Sequence, residues 1–95
     1  MSESISPAEA WARAQRGEGR LLDLRTHAER RHYGAPPGAE AVSLARHAAA
    51  PEGPDAIYLC QHAVRSKLTL RNGAVDVAGG FVAWKRAGLP VEPVT

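Results

Sequence analysis

Two hydrophobic periods alternate along the chain, and the residues where one gives way to the other delimit its elements. Ser6-Pro7-Ala8-Glu9 opens the first helix, with Ser at N-cap, Pro at N1 and Glu at N3. The spacing predicts a helix from Pro7 to about Arg16, with Ala8, Trp11, Ala14 and Gln15 on one face and Gly17 at C′. Ile5 reads as a short apolar lead-in and Trp11 as a core anchor. Leu21-Leu22-Asp23-Leu24-Arg25 is apolar on both sides of the pleat apart from Asp23, the pattern of a strand inside a parallel sheet covered on both faces. Asp23 stands out near the carboxyl end of that strand, either as part of a site at the edge where α/β folds place them or as a loop anchor. Thr26-His27-Ala28-Glu29 repeats the capping pattern and opens a short, strongly charged helix to about His32.

Tyr33 to Ala39 carries two prolines and two glycines and must be a loop. Ala41-Val42-Ser43 follows as a short edge strand, Leu44 to Ala49 as a small helix stopped by Pro51, and Glu52-Gly53-Pro54-Asp55 as a linker. The run Ala56-Ile57-Tyr58-Leu59 is the most β-prone stretch and ends on Cys60. A helix from Ser66 to Asn72 has room for only about two turns before the turn pair Asn72-Gly73. Ala74 to Ala78 reads as the next strand. Gly79-Gly80 then turns into an amphipathic helix with Phe81, Trp84 and Ala87 on one face, closed by Gly88 and Pro90. Strands alternating with helices in a short chain call for an α/β layer structure with right-handed crossovers.

The length of 95 residues holds one domain, residues 1–95, and no second. With 44% hydrophobic, 23% charged and only 5% aromatic residues, the core is built mainly of Ala, Leu and Val. The net charge of +2 arises from interspersed signs, as in Arg25 to His32, without a basic stripe interleaved with aromatics, so nucleic acid is not expected as a partner. No apolar stretch approaches the ~20 residues that span a bilayer. One cysteine cannot form an internal disulfide, and Met1-Ser2-Glu3-Ser4 has neither a basic nor an apolar leader pattern; the expected location is the cytoplasm. The histidines and Cys60 have no paired ligand spacing, so neither a metal nor any other cofactor is expected.

The candidate chemistry gathers at Cys60. A lone cysteine closing an apolar strand is commonly a small buried hydrophobe. Here, however, Gln61, His62, Ala63 and Val64 lead to Arg65 and Ser66, where a helix can begin. Its unpaired N–H groups and positive dipole end would face the sulfur, an environment that favours an anion. The spacing Cys60-x-x-x-x-Arg65-Ser66 resembles the active-site loop of the rhodanese family of sulfurtransferases. Three further segments resemble that family in the same order: Asp23-Leu24-Arg25-Thr26-x-x-Glu29; Gly34 with Pro37-Gly38-Ala39; and Gly79-Gly80-Phe81-x-Ala83-Trp84-x-x-Ala87-Gly88-Leu89-Pro90-Val91. The chain departs from the family pattern at Ala35 and Pro36, at Ala63 where most members carry glycine, and in the short helix after Ser66.

The resemblance implies a rhodanese-like α/β fold: a small, mostly parallel five-stranded sheet with helices on both faces. It implies that Cys60 carries a transferable sulfur as a persulfide, taken from thiosulfate or a persulfide donor and passed to cyanide or a thiol, a protein thiol among them. Cys60 and Arg65 would be catalytic, with Gln61, His62, Ala63, Val64 and Ser66 lining the substrate loop and Asp23 and Arg25 in support. Two other classes share the pattern. Rhodanese-like phosphatases and arsenate reductases resemble His-Cys-x-x-x-x-x-Arg, one residue longer and with His where this chain has Leu59. Non-catalytic sulfur-carrier docking or interaction domains usually lack the cysteine.

Overall fold

The structure, a computed structural model, describes residues 4–43, 45, 53–62 and 74–95. Its strands are β1 (Ser4–Ile5), β2 (Arg20–Asp23), β3 (Glu40–Ala41), β4 (Ala56–Leu59) and β5 (Val75–Val77). They form one five-stranded sheet in the order β1-β5-β4-β2-β3. Every pairing is parallel, with Asp23 opposite Leu59 and Tyr58 opposite Asp76. From β2 the chain moves outward to β3, whereas from β4 it moves the other way to β5. The order therefore reverses between β2 and β4, and a crevice at the carboxyl ends of such a pair is where open α/β sheets place their ligands.

The helices among the described residues are α1 (Pro7–Gln15), α2 (His27–Tyr33) and α3 (Gly80–Arg86). Both capping motifs form. Ser6 accepts from the Glu9 N–H, and Thr26 and Glu29 satisfy each other's backbone N–H groups. The α1 face is rotated from the expected one: Ala8 and Gln15 are exposed, and Ala10 is buried beside half-buried Trp11 and Ala14. Positions 7, 10, 11 and 14 form the seam because α1 packs against α3, where the Trp11 and Trp84 rings meet edge to face with centroids 5.7 Å apart. Trp84 is fully buried and donates its Nε1–H to the Pro90 carbonyl at 2.8 Å. Ala87 is exposed because α3 ends at Arg86 and Ala87 is its C-cap.

Four strands differ from expectation, β5 only in its ends, since it spans Val75–Val77 and not Ala74 to Ala78. Ser4–Ile5 is not a mere lead-in but an edge strand on β5, where the Ser4 hydroxyl donates to the buried Asp76 carboxylate. The second strand ends at Asp23 instead of Arg25, because the Arg25 N–H turns to the Asp23 carboxylate. The edge strand is Glu40–Ala41, one residue earlier than Ala41 to Ser43, since Val42 is the last residue whose N–H reaches β2, at the Asp23 carbonyl. The expected helices Leu44 to Ala49 and Ser66 to Asn72 fall largely or wholly outside the described residues.

Apolar side chains fill both sides of the sheet. Ala10, Leu21, Ile57, Leu59, Val77, Phe81 and Trp84 form one cluster under α1 and α3; Leu22, Leu24, Val42, Ala56, Tyr58 and Ala74 form the other. Alternate residues of β2 and β4 thus point to opposite layers, which explains their continuous apolar runs. At the amino ends of these strands Arg20 holds Asp55 in a two-pronged ion pair, 2.8 and 3.3 Å. That hydrogen bond holds the Asp55 carboxyl below its ordinary value near 3.8. Its contribution to stability is present above that value and is lost as pH falls through the lowered one. Asp55→Asn should therefore lower the urea midpoint slightly at neutral pH, with the difference from wild type vanishing in acid.

Candidate active site

Cys60 follows the last residue of β4 and is 1% exposed. Two amides of α3 fix the chain there: Phe81 N–H donates to the Cys60 carbonyl at 2.8 Å and Val82 N–H to the Gln61 carbonyl at 3.2 Å. The approach is made possible by Gly79 and Gly80, whose φ angles of 76° and 67° turn the chain sharply from β5 into the helix. A Cβ on Gly79 would lie 2.7 Å from that of Ala83. Gly79-Gly80 is therefore a packing device, as its lack of phosphate-binding spacing implies.

Beside Cys60, at the end of β2, Asp23 and Arg25 form a buried ion pair. Arg25 donates Nε–H to Asp23 Oδ1 at 2.9 Å and an Nη2–H to Oδ2 at 2.7 Å, with side chains 0% and 1% exposed. Asp23 Oδ1 also accepts the Arg25 backbone N–H at 3.0 Å. Both carboxylate oxygens are thus engaged in holding Arg25. The guanidinium in turn reaches three other segments. It donates to the Gly34 carbonyl at 2.7 Å and to Gln61 Oε1 at 3.3 Å, and it lies 4.0 Å from the centroid of the Phe81 ring. One side chain therefore ties the β2 end, the loop after α2, the first residue after Cys60 and the start of α3 into a single rigid corner.

Among the sequence-predicted site residues, Cys60, Gln61, Asp23 and Arg25 are brought together. Gln61 is 8% exposed with its side-chain amide oxygen Oε1 turned to Arg25, and His62 is exposed. Ala63, Val64, Arg65 and Ser66 lie outside the described residues. The Gly34 carbonyl and the Phe81 ring were not among the expected site residues. Gly34 carried a signal in its loop of glycines and prolines; Phe81 read only as core.

Gly34 sits at φ 85°, and a Cβ there would fall 2.6 Å from Val91 Cγ1 and 2.9 Å from the Glu92 carbonyl oxygen. The backbone at Glu92 is itself paired with Ala35 through two hydrogen bonds, 2.9 and 2.8 Å, and has little room to yield. Gly34→Ala should cost about 1–3 kcal/mol and loosen the acceptor of Arg25, read as a lowered urea midpoint.

At the carboxyl ends of β2 and β3 a cleft of about 390 Å³ opens, with Leu24, Arg30 and Val42 among its lining. Among the described residues no group of three or more His, Cys, Asp and Glu side chains could hold a metal ion, and no helix is long and apolar enough to cross a membrane.

No family model matches the sequence, and no curated protein matches it significantly. Solved structures do match its fold. A rhodanese-related protein from Thermoplasma volcanium superposes with a TM-score of 0.72 at 24% identity, over 94% of this chain and 96% of that one. A thiosulfate sulfurtransferase from Pseudomonas aeruginosa gives 0.78 at 22% identity, over 99% of this chain and 21% of that longer one. A protein of unknown function from Rhodopseudomonas palustris, described as a possible tyrosine phosphatase, gives 0.74 at 23% identity, over 96% and 85%. The structural neighbours include several rhodanese-like domain proteins, and the chain has the rhodanese-like α/β fold.

Proposed function

We propose that this chain, built on the rhodanese-like fold, is a sulfurtransferase in which Cys60 carries the sulfur. The observation that carries the reading is the placement of the thiol residue at the carboxyl end of the central strand β4, at the point where strand order reverses, beside a corner that Arg25 makes rigid. A nucleophile held by its flanking backbone loses little orientation entropy when it attacks.

In the first half-reaction the Cys60 thiolate attacks the outer sulfur of thiosulfate. A Cys60–S–S⁻ bond forms, the sulfur–sulfur bond of thiosulfate breaks, and its electron pair leaves with sulfite. In the second, cyanide or a thiol takes the outer sulfur and the electron pair returns to Cys60. Backbone N–H groups of the loop that starts at Gln61 are assigned the charged intermediate, with Arg65 adding positive charge. No cofactor enters these steps. Asp23 and Arg25 support the loop and do not touch substrate; Gln61 passes that support on. The proposed setting is the cytoplasm, which keeps a lone thiol reduced.

A phosphatase reading has a structural neighbour in its favour. It is disfavoured by the loop, which places only four residues between Cys60 and Arg65, less than a tetrahedral oxyanion of phosphate size asks for. The deciding experiment is a thiosulfate:cyanide assay on the purified protein beside a phosphate-monoester assay. Thiocyanate formation without phosphate release supports the proposal. Phosphate release alone would overturn it, and inactivity in both would leave an interaction domain as the better account.

A further inference from the structure

We infer that the cleft at the carboxyl ends of β2 and β3 receives the sulfur acceptor, and that this acceptor is an organic thiol bearing one carboxylate; the inference rests on the sulfurtransferase reading. The cleft begins one strand away from the thiol. Leu24, on its wall, donates its backbone N–H to the carbonyl of Leu59, the residue before Cys60, at 2.8 Å. Its volume of about 390 Å³ is several times that of a cyanide or thiosulfate ion and falls among sites that hold small organic molecules.

The lining selects the chemistry. Leu24, Ala41 and Val42 supply an apolar wall, which does not suit a small, strongly hydrated inorganic ion but suits the carbon chain of an organic thiol. Arg30 and His27, one turn apart on α2, line the same cleft, and among the described residues no carboxylate does. Arg30 is half-buried and forms no ion pair with any described carboxylate. The other arginine at the cleft, Arg25, has its guanidinium buried against Asp23 and is not available. One permanent cation in an apolar cleft matches one carboxylate rather than a dianionic phosphate. Transfer balances without a further reagent: the acceptor thiol R–SH attacks the outer sulfur of Cys60–S–S⁻ and its proton passes to that sulfur, so R–S–SH forms and the electron pair of the broken S–S bond returns to Cys60 Sγ.

The test compares two acceptors of similar size, 3-mercaptopropionate and neutral 2-mercaptoethanol, discharging protein loaded with thiosulfate. In Arg30→Ala the ratio of kcat/KM for the carboxylated thiol to that for the neutral one should fall about tenfold, and Arg30→Lys should recover much of it. An unaltered ratio would overturn the inference. Occupancy is read separately with 3-(methylthio)propionate, which cannot accept sulfur. It should shift the Leu24 and Val42 methyl resonances of wild-type protein and not those of Arg30→Ala. Shifts without any sulfur loading would remove the sulfurtransferase reading while leaving the cleft as a carboxylate site; loading without shifts would remove the cleft and leave the reading.

Discussion

Asp23→Ala is expected to destabilise the protein by about 3–5 kcal/mol, because it strands the Arg25 guanidinium without a counter-ion in the interior. The Arg25 side chain is 0% exposed and cannot turn to water without opening the corner it holds together. Domains of this kind have about 5–15 kcal/mol in total, so the variant should sit near the edge of folding. Urea unfolding gives the figure. Arg25→Met on top of Asp23→Ala should restore part of the loss, since removing both charges avoids the stranded one even though Gly34 and Gln61 lose a donor. A single-variant cost below about 1 kcal/mol, the range of exposed ion pairs, would mean that water reaches the pair.

Cys60→Ser has the largest expected effect on chemistry and a small one on the fold. The two side chains are close in size, and exchanging a buried thiol for a hydroxyl costs at most about 1–3 kcal/mol. A serine oxygen cannot hold a sulfane sulfur in a persulfide, so thiocyanate formation should fall to the uncatalysed rate while the far-ultraviolet circular dichroism stays that of wild type. Residual turnover well above background would place the reacting sulfur somewhere other than the chain's one cysteine.

The parts of this fold that were legible in the sequence are those fixed by local chemistry. Ser6 and Thr26 announce their helices because a capping hydroxyl must stand three residues before the N–H it accepts, and β4 is bounded by a proline-containing linker on one side and Cys60 on the other. β1 was not legible as a strand, because two residues carry no period and Ser4 is held by an aspartate far along the chain. The buried face of α1 lies a fraction of a turn from the one its own pattern predicts, since its orientation is set by the packing of Trp11 against Trp84 on α3, a contact distant in sequence. At the site, the hinge at Cys60 and the anomaly of Asp23 were visible. What could not be seen was the reach of Arg25, whose contacts at Gly34, Gln61 and Phe81 are made across the sheet and leave no local pattern.

The central claim is that sulfur resides on Cys60. Nothing in the chain can resolve a persulfide as an internal disulfide, because Cys60 is its one cysteine. The loaded form should therefore accumulate until an acceptor arrives. Intact-protein mass spectrometry of reduced, folded protein after thiosulfate or a persulfide donor should show one added sulfur atom, removed by cyanide and absent from Cys60→Ser. An unchanged mass with both donors would contradict the account.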